Sequence, residues 1–300
     1  PFLGGTLARP ADNFPDVFHA KFWSQYPYFL PCLATSGFVF VSVIITALFF
    51  KETLFTQKKK LSESSSFPQS WQDSYEGQSN PYLEVSLKSI LISSVIISIA
   101  NYVTLAFLNI SISSLLPLFF HMPVEMGGLG LEPEVIGCIM AMYGAGTGIF
   151  QCLFFARLVR RYGTRRLFIF SMATFIPVFL TFPLVNLIAR VQGLSCGVWG
   201  LVAFILFLLF FTDTAYGCIL MYVTECAPTP SSLGAVNGLA QTTVSIARAV
   251  GPTLSTSLYC FSIQYNIIGG YGAYAVLASF AALALIVAAQ LPQRSTTSAN

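Results

Sequence analysis

Long apolar runs separated by short polar breaks dominate the chain. The first extends from about Tyr26 to Phe50 and meets no charge until Lys51. As a helix, roughly 20 apolar residues cross the hydrocarbon core of a bilayer. Further runs follow at Ile90–Leu115, Val135–Ala156, Leu167–Ala189, Gly197–Thr224, Leu233–Tyr259 and Ile268–Ala289. The pattern predicts an all-α membrane protein of about seven transmembrane helices, with neighbours antiparallel because most connections are short. Phe22, Trp23, Tyr26 and Tyr28 cluster at the leading edge of the first run, where rings that are part apolar and part polar suit the headgroup level. One interval breaks the rhythm. Lys51 to Lys88 holds three consecutive lysines (Lys58–Lys60), the serine run Ser64–Ser66 and several acids. It reads as a solvated linker, too long to join two packed helices and better suited to separating two bundles. The expected organisation is residues 1–50 before the linker, the linker at 51–88, a helical bundle at 89–290 and a tail at 291–300.

Composition agrees with this picture: hydrophobic residues make up 55% of the chain and charged ones 9%, where soluble domains carry about a quarter. The net charge of +3 matters less than its placement. Lys51, Lys58, Lys59, Lys60, Lys88, Arg157, Arg160, Arg161, Arg165, Arg166 and Arg294 fall on one set of loops, and Arg9, Lys21 and Arg190 on the other. The positive-inside rule makes the first set cytoplasmic, with the C-terminus inside and the start of the chain outside. No basic face is interleaved with exposed aromatics, so nucleic acid is not an expected partner. The seven cysteines (Cys32, Cys138, Cys152, Cys196, Cys218, Cys226 and Cys260) form no C-x-x-C pair and are expected to be buried in the ordinary way. No nucleophile–base pair, phosphate loop or metal-ligand spacing occurs. The reading is therefore not an enzyme, with no cofactor and no metal. The chain opens at Pro1 without an initiator Met, and the expectation is that it is part of a longer protein.

The chemistry lies where polar groups interrupt apolar runs. Leu233–Tyr259 carries Asn237, Gln241, Arg248 and the pair Gly251-Pro252. An arginine near the middle of a membrane helix costs at least about 2.5–3.5 kcal/mol, so it should border a partner or a wet cavity. Proline removes a backbone donor and glycine leaves a notch, which predicts a helix lining a polar pathway and bent above its middle. Asp213 is the only acid well inside an apolar run. It can exchange a proton, pair with Arg248, or cap a polar pocket near the inner interface. Asn101 and Asn109 lie roughly 80° apart around one helix at 3.6 residues per turn; they can share a cavity or make interhelical hydrogen bonds. Gln151 and Gln241 carry the same pair of readings. Gly144, Gly146 and Gly148 suit small-residue helix packing rather than a dinucleotide loop. His121 beside Glu125 reads as an exposed loop histidine. The basic run through Arg157, Arg160, Arg161, Arg165 and Arg166, interrupted by Gly163, suits anionic inner-leaflet lipids.

An internal echo points to duplication. Pro1-Phe2-Leu3-Gly4-Gly5 and Pro252-Thr253-Leu254-Ser255-Thr256 share a proline, two spacers and two small residues, as expected of equivalent helices in two repeated halves. With PFLGG at 1–5, GGLGLEPEVIG at 127–137, ARLVRRYGTRRLF at 156–168 and GAVNGLAQTTVSIARAVGP at 234–252, the chain resembles the major facilitator superfamily, and within it the fungal drug:proton-antiporter-like members. The resemblance implies the end of helix five with Gly4 and Gly5, helix six, the central linker and a C-terminal six-helix half-bundle, with most of the N-terminal half missing. It further implies a secondary transporter of a small organic molecule working by alternating access, with protons as co-substrate. Arg248, Asp213, Asn101, Gln241 and Asn237 would line the pathway, and Gly251 and Pro252 would let their helix bend or pack closely. The basic loop departs from the family pattern, because Arg160 stands where an acid is expected. The topology is shared by a seven-helix receptor, and a truncated inactive product is a third reading.

Overall fold

The computed structural model describes residues 7, 10, 21–49, 92–228 and 232–291. Among these no strand occurs, and contacts divide the chain into two units, 1–85 and 86–300. The PFLGG segment with Gly4 and Gly5, the expected linker and the expected tail beyond 291 lie outside the described residues.

In the first unit a short helix, α1 (Lys21–Gln25), precedes α2 (Phe29–Phe49). Phe22 packs against Trp23, Tyr26 and Phe29 at ring separations of 5.2–5.4 Å, so the aromatic cluster forms a contiguous patch at the start of α2.

The second unit is a helical bundle. Its elements are α3 (Ser93–His121), α4 (Pro133–Phe150), α5 (Ala156–Tyr162), α6 (Thr164–Ala173), α7 (Phe175–Gln192), α8 (Cys196–Glu225), α9 (Leu233–Gln264) and α10 (Gly272–Ala289). A π-turn at Gln151–Phe155 joins α4 to α5, and α6 runs almost directly into α7, so each pair makes one long rod. Six helices or rods among the described residues are long and apolar enough to cross a membrane. The seventh long helix, α9, has 32 residues and is the most polar because it carries Asn237, Gln241, Arg248 and several hydroxyls. It is helical throughout, with Pro252 inside it.

The core lies among α3, α6, α7, α8 and α10, and the most extensive helix pair is α3 with α9. At one end Phe119 meets Phe182 edge-on at 5.0 Å, and Phe182 stacks on Tyr274 at 5.1 Å. Tyr259 closes the cluster edge-on to Tyr274 at 6.0 Å. Four buried rings from α3, α7, α9 and α10 thus fix the helices beneath the 122–131 connection. Two close approaches depend on glycine. A Cβ on Gly146 would stand 2.7 Å from Phe210 Cζ on α8, whereas Gly144 and Gly148 have open space. A Cβ on Gly251 would overlap Ile110 Cγ2 on α3. Gly251→Ala is therefore expected to lower stability by about 1–2 kcal/mol through overpacking, read as a lower thermal midpoint in detergent. The double variant with Ile110→Ala should recover most of that loss.

Cysteine burial is not what burial statistics for soluble proteins suggest. All seven thiols are free, and Cys32, Cys138, Cys152, Cys196 and Cys260 are exposed, leaving only Cys218 fully buried. The physical reason is the solvent: on a membrane helix a small apolar thiol loses nothing by facing hydrocarbon.

Candidate functional site

Asp213 sits half-buried on α8 and is held by three helices. Asn109 Nδ2 of α3 donates to Oδ1 at 3.2 Å. The Tyr143 hydroxyl and Thr147 Oγ1, one helical turn apart on α4, donate to Oδ2 at 2.5 and 3.4 Å. The Tyr143 ring lies parallel to Phe210, centroids 6.0 Å apart, which fixes the hydroxyl's aim. Three donors converging on one carboxylate compensate its removal from water. A proton arriving on Oδ2 would have to turn the Tyr143 hydroxyl around, since the carboxyl would then be the donor.

One turn along α8 from Asp213, and therefore on the same face, stands Tyr216. The Arg248 guanidinium of α9 lies 5.8 Å from the centre of its ring, within the range of cation–π attraction. Tyr102 of α3 meets Tyr216 edge-on at 6.2 Å, and Gln241 Nε2 of α9 donates to the Tyr102 hydroxyl at 3.2 Å. The local spacing explains the convergence. Tyr102 and Asn109 are two turns apart on α3, and Gln241 and Arg248 two turns apart on α9, so each pair shares a face at 3.6 residues per turn. A polar row therefore runs from Thr147 and Tyr143 through Asp213 and Tyr216 to Arg248, Tyr102 and Gln241, with elements α3, α4, α8 and α9 contributing.

Arg248 and Asp213 make no direct ion pair: among the described residues no acid lies within ion-pair distance of Arg248, which is exposed and lies against Tyr216, one turn along α8 from Asp213. Fifteen residues of α9 precede it and sixteen follow (248 − 233 and 264 − 248). Pro252 has no N–H to give to the Arg248 carbonyl four residues back, so that carbonyl is free to accept from elsewhere. Asn101 is not in the row. It is fully buried, and its Nδ2 donates to Ile97 O at 2.8 Å and to Val287 O of α10 at 3.3 Å, while its Oδ1 has no partner. Asn237 is half-buried on α9.

Sequence reading missed Tyr102, Tyr143, Thr147 and Tyr216. Tyrosine and threonine inside apolar runs raise no alarm. The one available signal was Tyr216 at i+3 from the only intramembrane acid.

Beside the row, the π-turn at Gln151–Phe155 presses the Phe155 ring onto Gly217, where a Cβ would overlap it. A π-turn within an α-helical rod frequently marks a functional site. Gly163, at φ +78°, makes the tight join between α5 and α6. Around it Arg157 and Arg160 donate to the carbonyls four residues back, at 2.6 and 3.3 Å. Arg161 lies over the Tyr162 ring. Arg165 Nη2 donates at 2.6 Å to the carbonyl of Ala289, the last residue of α10, so a cation caps a negative helix end.

At the opposite end Asn186 ties the 122–131 connection to the bundle. Its Nδ2 donates to Val124 O and Gly128 O at 3.0 and 2.7 Å, and its Oδ1 accepts from Tyr271 Oη at 2.7 Å. Arg190 adds donors to Val124 O and Glu125 O.

Comparison with known proteins gives a consistent family. The model of the Major Facilitator Superfamily matches residues 18–252 and 122–299. The chain is 28% identical over 310 residues to the major facilitator-type transporter psiT2 of Psilocybe cubensis, covering 90% of this chain and 58% of that protein. It is 29% identical over 265 residues to the protein ZINC INDUCED FACILITATOR-LIKE 1 of Arabidopsis thaliana, covering 87% and 54%. To the major facilitator superfamily multidrug transporter mfsB of Aspergillus fumigatus it is 25% identical over 340 residues, covering 89% and 56%. The chain thus spans little more than half the length of these relatives. No solved structure matches it. Transporter relatives do not favour the seven-helix receptor that the topology alone allows.

Proposed function

Because the chain belongs to the Major Facilitator Superfamily, we propose that it is the part of a secondary transporter that carries the cargo- and proton-handling row, moving a small organic molecule across a membrane. The observation that carries this reading is the placement of Asp213, Tyr216 and Arg248 close together on α8 and α9, two helices of membrane-spanning length. Ionisable groups at such depth are costly, and ion or substrate pathways are their usual use. In this reading Asp213 takes up and releases the proton, and Tyr143 reports its arrival by reversing its hydrogen bond. Arg248, with Gln241 and Asn237 on the same helix, faces the cargo and the second bundle contributed by the rest of the protein. Alternating access follows from rocking of the two bundles around this row, with Gly251 and Pro252 allowing α9 to move against α3. The arginine-rich end with Arg157–Arg166 lies in the cytoplasm, next to anionic inner-leaflet lipids.

The test compares cells that overproduce the full-length protein with cells that lack it, profiling small molecules inside and outside. At least one organic molecule should change its inside-to-outside ratio by about tenfold, equivalent to ~1.4 kcal/mol of gradient work. A protonophore should abolish the change. A ratio that ignores the protonophore removes proton coupling, and no redistributed molecule at all removes the transport reading.

A further inference from the structure

A second candidate site is lined by residues that the polar row does not use. A slot of about 390 Å³ opens between α5, α6 and α8, walled by Leu158, Tyr162, Leu167, Phe170 and Phe211, with Arg166 as its one charged lining residue. Its size is that of a small-ligand pocket, but its walls offer almost nothing except carbon.

The arginine is what distinguishes this slot. Of the five arginines between 157 and 166, four are engaged: Arg157, Arg160 and Arg165 with backbone carbonyls and Arg161 with a tyrosine ring. Arg166 makes no hydrogen bond, ion pair or ring contact among the described residues and is exposed. Gly163 sets the geometry, since its left-handed backbone turns α6 back beside α5. Arg166 then stands on the first turn of α6, with Phe170 one turn, about 6 Å, further along the same face. A cation with an aromatic ring one turn along the same wall matches an amphiphile with a negative head and a hydrocarbon tail. Arg166 sits at the end of two membrane-length rods, Pro133–Tyr162 and Thr164–Gln192, which is where phospholipid headgroups lie.

We propose that this slot is a specific binding site for one anionic membrane phospholipid, its headgroup on Arg166 and one acyl chain lying along Leu158, Phe170 and Phe211. The inference does not depend on the transport reading. Its energetics differ from those of a pocket in a soluble protein. The acyl chain leaves hydrocarbon to enter hydrocarbon, so the slot supplies close packing rather than a hydrophobic driving force. Selectivity for a negative headgroup must then come from Arg166, and a basic residue near the membrane surface is worth about a fivefold preference.

The test is native mass spectrometry of the full-length protein, purified in mild detergent and offered equal amounts of phosphatidylserine and phosphatidylcholine. The wild type should retain one phosphatidylserine. Arg166→Gln should cut the preference for phosphatidylserine by about fivefold or more, Arg166→Lys should keep it, and Arg160→Gln, whose guanidinium bonds the Ala156 carbonyl, should cut it clearly less. Leu158→Trp, which fills the slot and leaves the cation in place, should remove retention of either lipid. Glycerophosphoserine, which has the headgroup and no acyl chains, should not displace the bound lipid. Equal losses for Arg160→Gln and Arg166→Gln would mean diffuse charge attraction and overturn the proposal. So would displacement by the soluble headgroup, or undiminished retention in Leu158→Trp.

Discussion

Replacing Asp213 with asparagine in the full-length protein is expected to lower gradient-driven transport by about 100-fold, the low end of what a positioned proton-transfer group contributes. The substitution is nearly isosteric. Its amide oxygen still accepts from Tyr143 or Asn109, so abundance and thermal midpoint should stay close to wild type. What disappears, on the proposed mechanism, is the carboxyl that would take up and release the proton, and with it the reversal of the Tyr143 hydrogen bond. Exchange of cargo down its own gradient needs no net proton movement, so it should survive better than accumulation against a gradient. Tyr143→Phe provides the complementary measurement. It deletes one of three donors and leaves the titrating group, so its loss should fall between wild type and Asp213→Asn. Full concentrative transport by Asp213→Asn would show that the carboxylate only satisfies Asn109 and Tyr143, and the proton would have to be sought elsewhere.

The reach of sequence reasoning differs between backbone and side chains, for a physical reason. Apolar runs of membrane length leave few alternatives to a helix, because backbone groups in hydrocarbon must be satisfied within the segment. The spans were therefore legible, including α9 with its unusual polar load. Which face of a helix meets which neighbour is set by tertiary packing. Asn101 and Asn109 were equivalent as letters, yet one turns to Val287 of α10 and the other to Asp213 of α8. Arg248 and Asp213 stood out because a charge at membrane depth is anomalous wherever it packs. Tyr216, against Arg248 and one turn from Asp213, is not anomalous by itself and could be found only through its spacing from that acid. The cysteines show the reverse error, a rule from water-soluble cores applied where the surroundings are themselves apolar. Among the arginines of the basic run, the sequence marks all as cations; the folded loop leaves only Arg166 without a bond or ring contact on its own chain among the described residues.

Asn186 is a further residue that sequence reading passed over, and its loss should have the largest effect on stability. Asn186→Ala is expected to destabilise the bundle by about 3 kcal/mol, since each buried polar group left without a partner costs about 1–3 kcal/mol. The side chain is fully buried and saturates three groups at once: the carbonyls of Val124 and Gly128 and the hydroxyl of Tyr271. Val124 O keeps a bond from Arg190 Nε at 3.3 Å, so the penalty should fall mainly on Gly128 O and Tyr271 Oη. Gly128 cannot move to find another donor, because its Cα already abuts the Met122 backbone so closely that a Cβ would overlap the Met122 carbonyl. The measurement is the thermal midpoint of the purified protein in detergent. Tyr271→Phe is the control that separates the two halves of the network: it removes the donor to Asn186 Oδ1 and leaves both carbonyl bonds intact, and should cost about 1 kcal/mol. If Asn186→Ala and Tyr271→Phe were equally mild, the 122–131 connection would be held by its own backbone bonds, such as Leu129 N to Phe119 O at 3.0 Å and Leu131 N to Phe120 O at 2.8 Å. The amide would then only fill space. The larger loss for Asn186→Ala is expected because those backbone bonds fix the course of the connection but leave the Gly128 carbonyl pointing into a buried site that only this side chain serves.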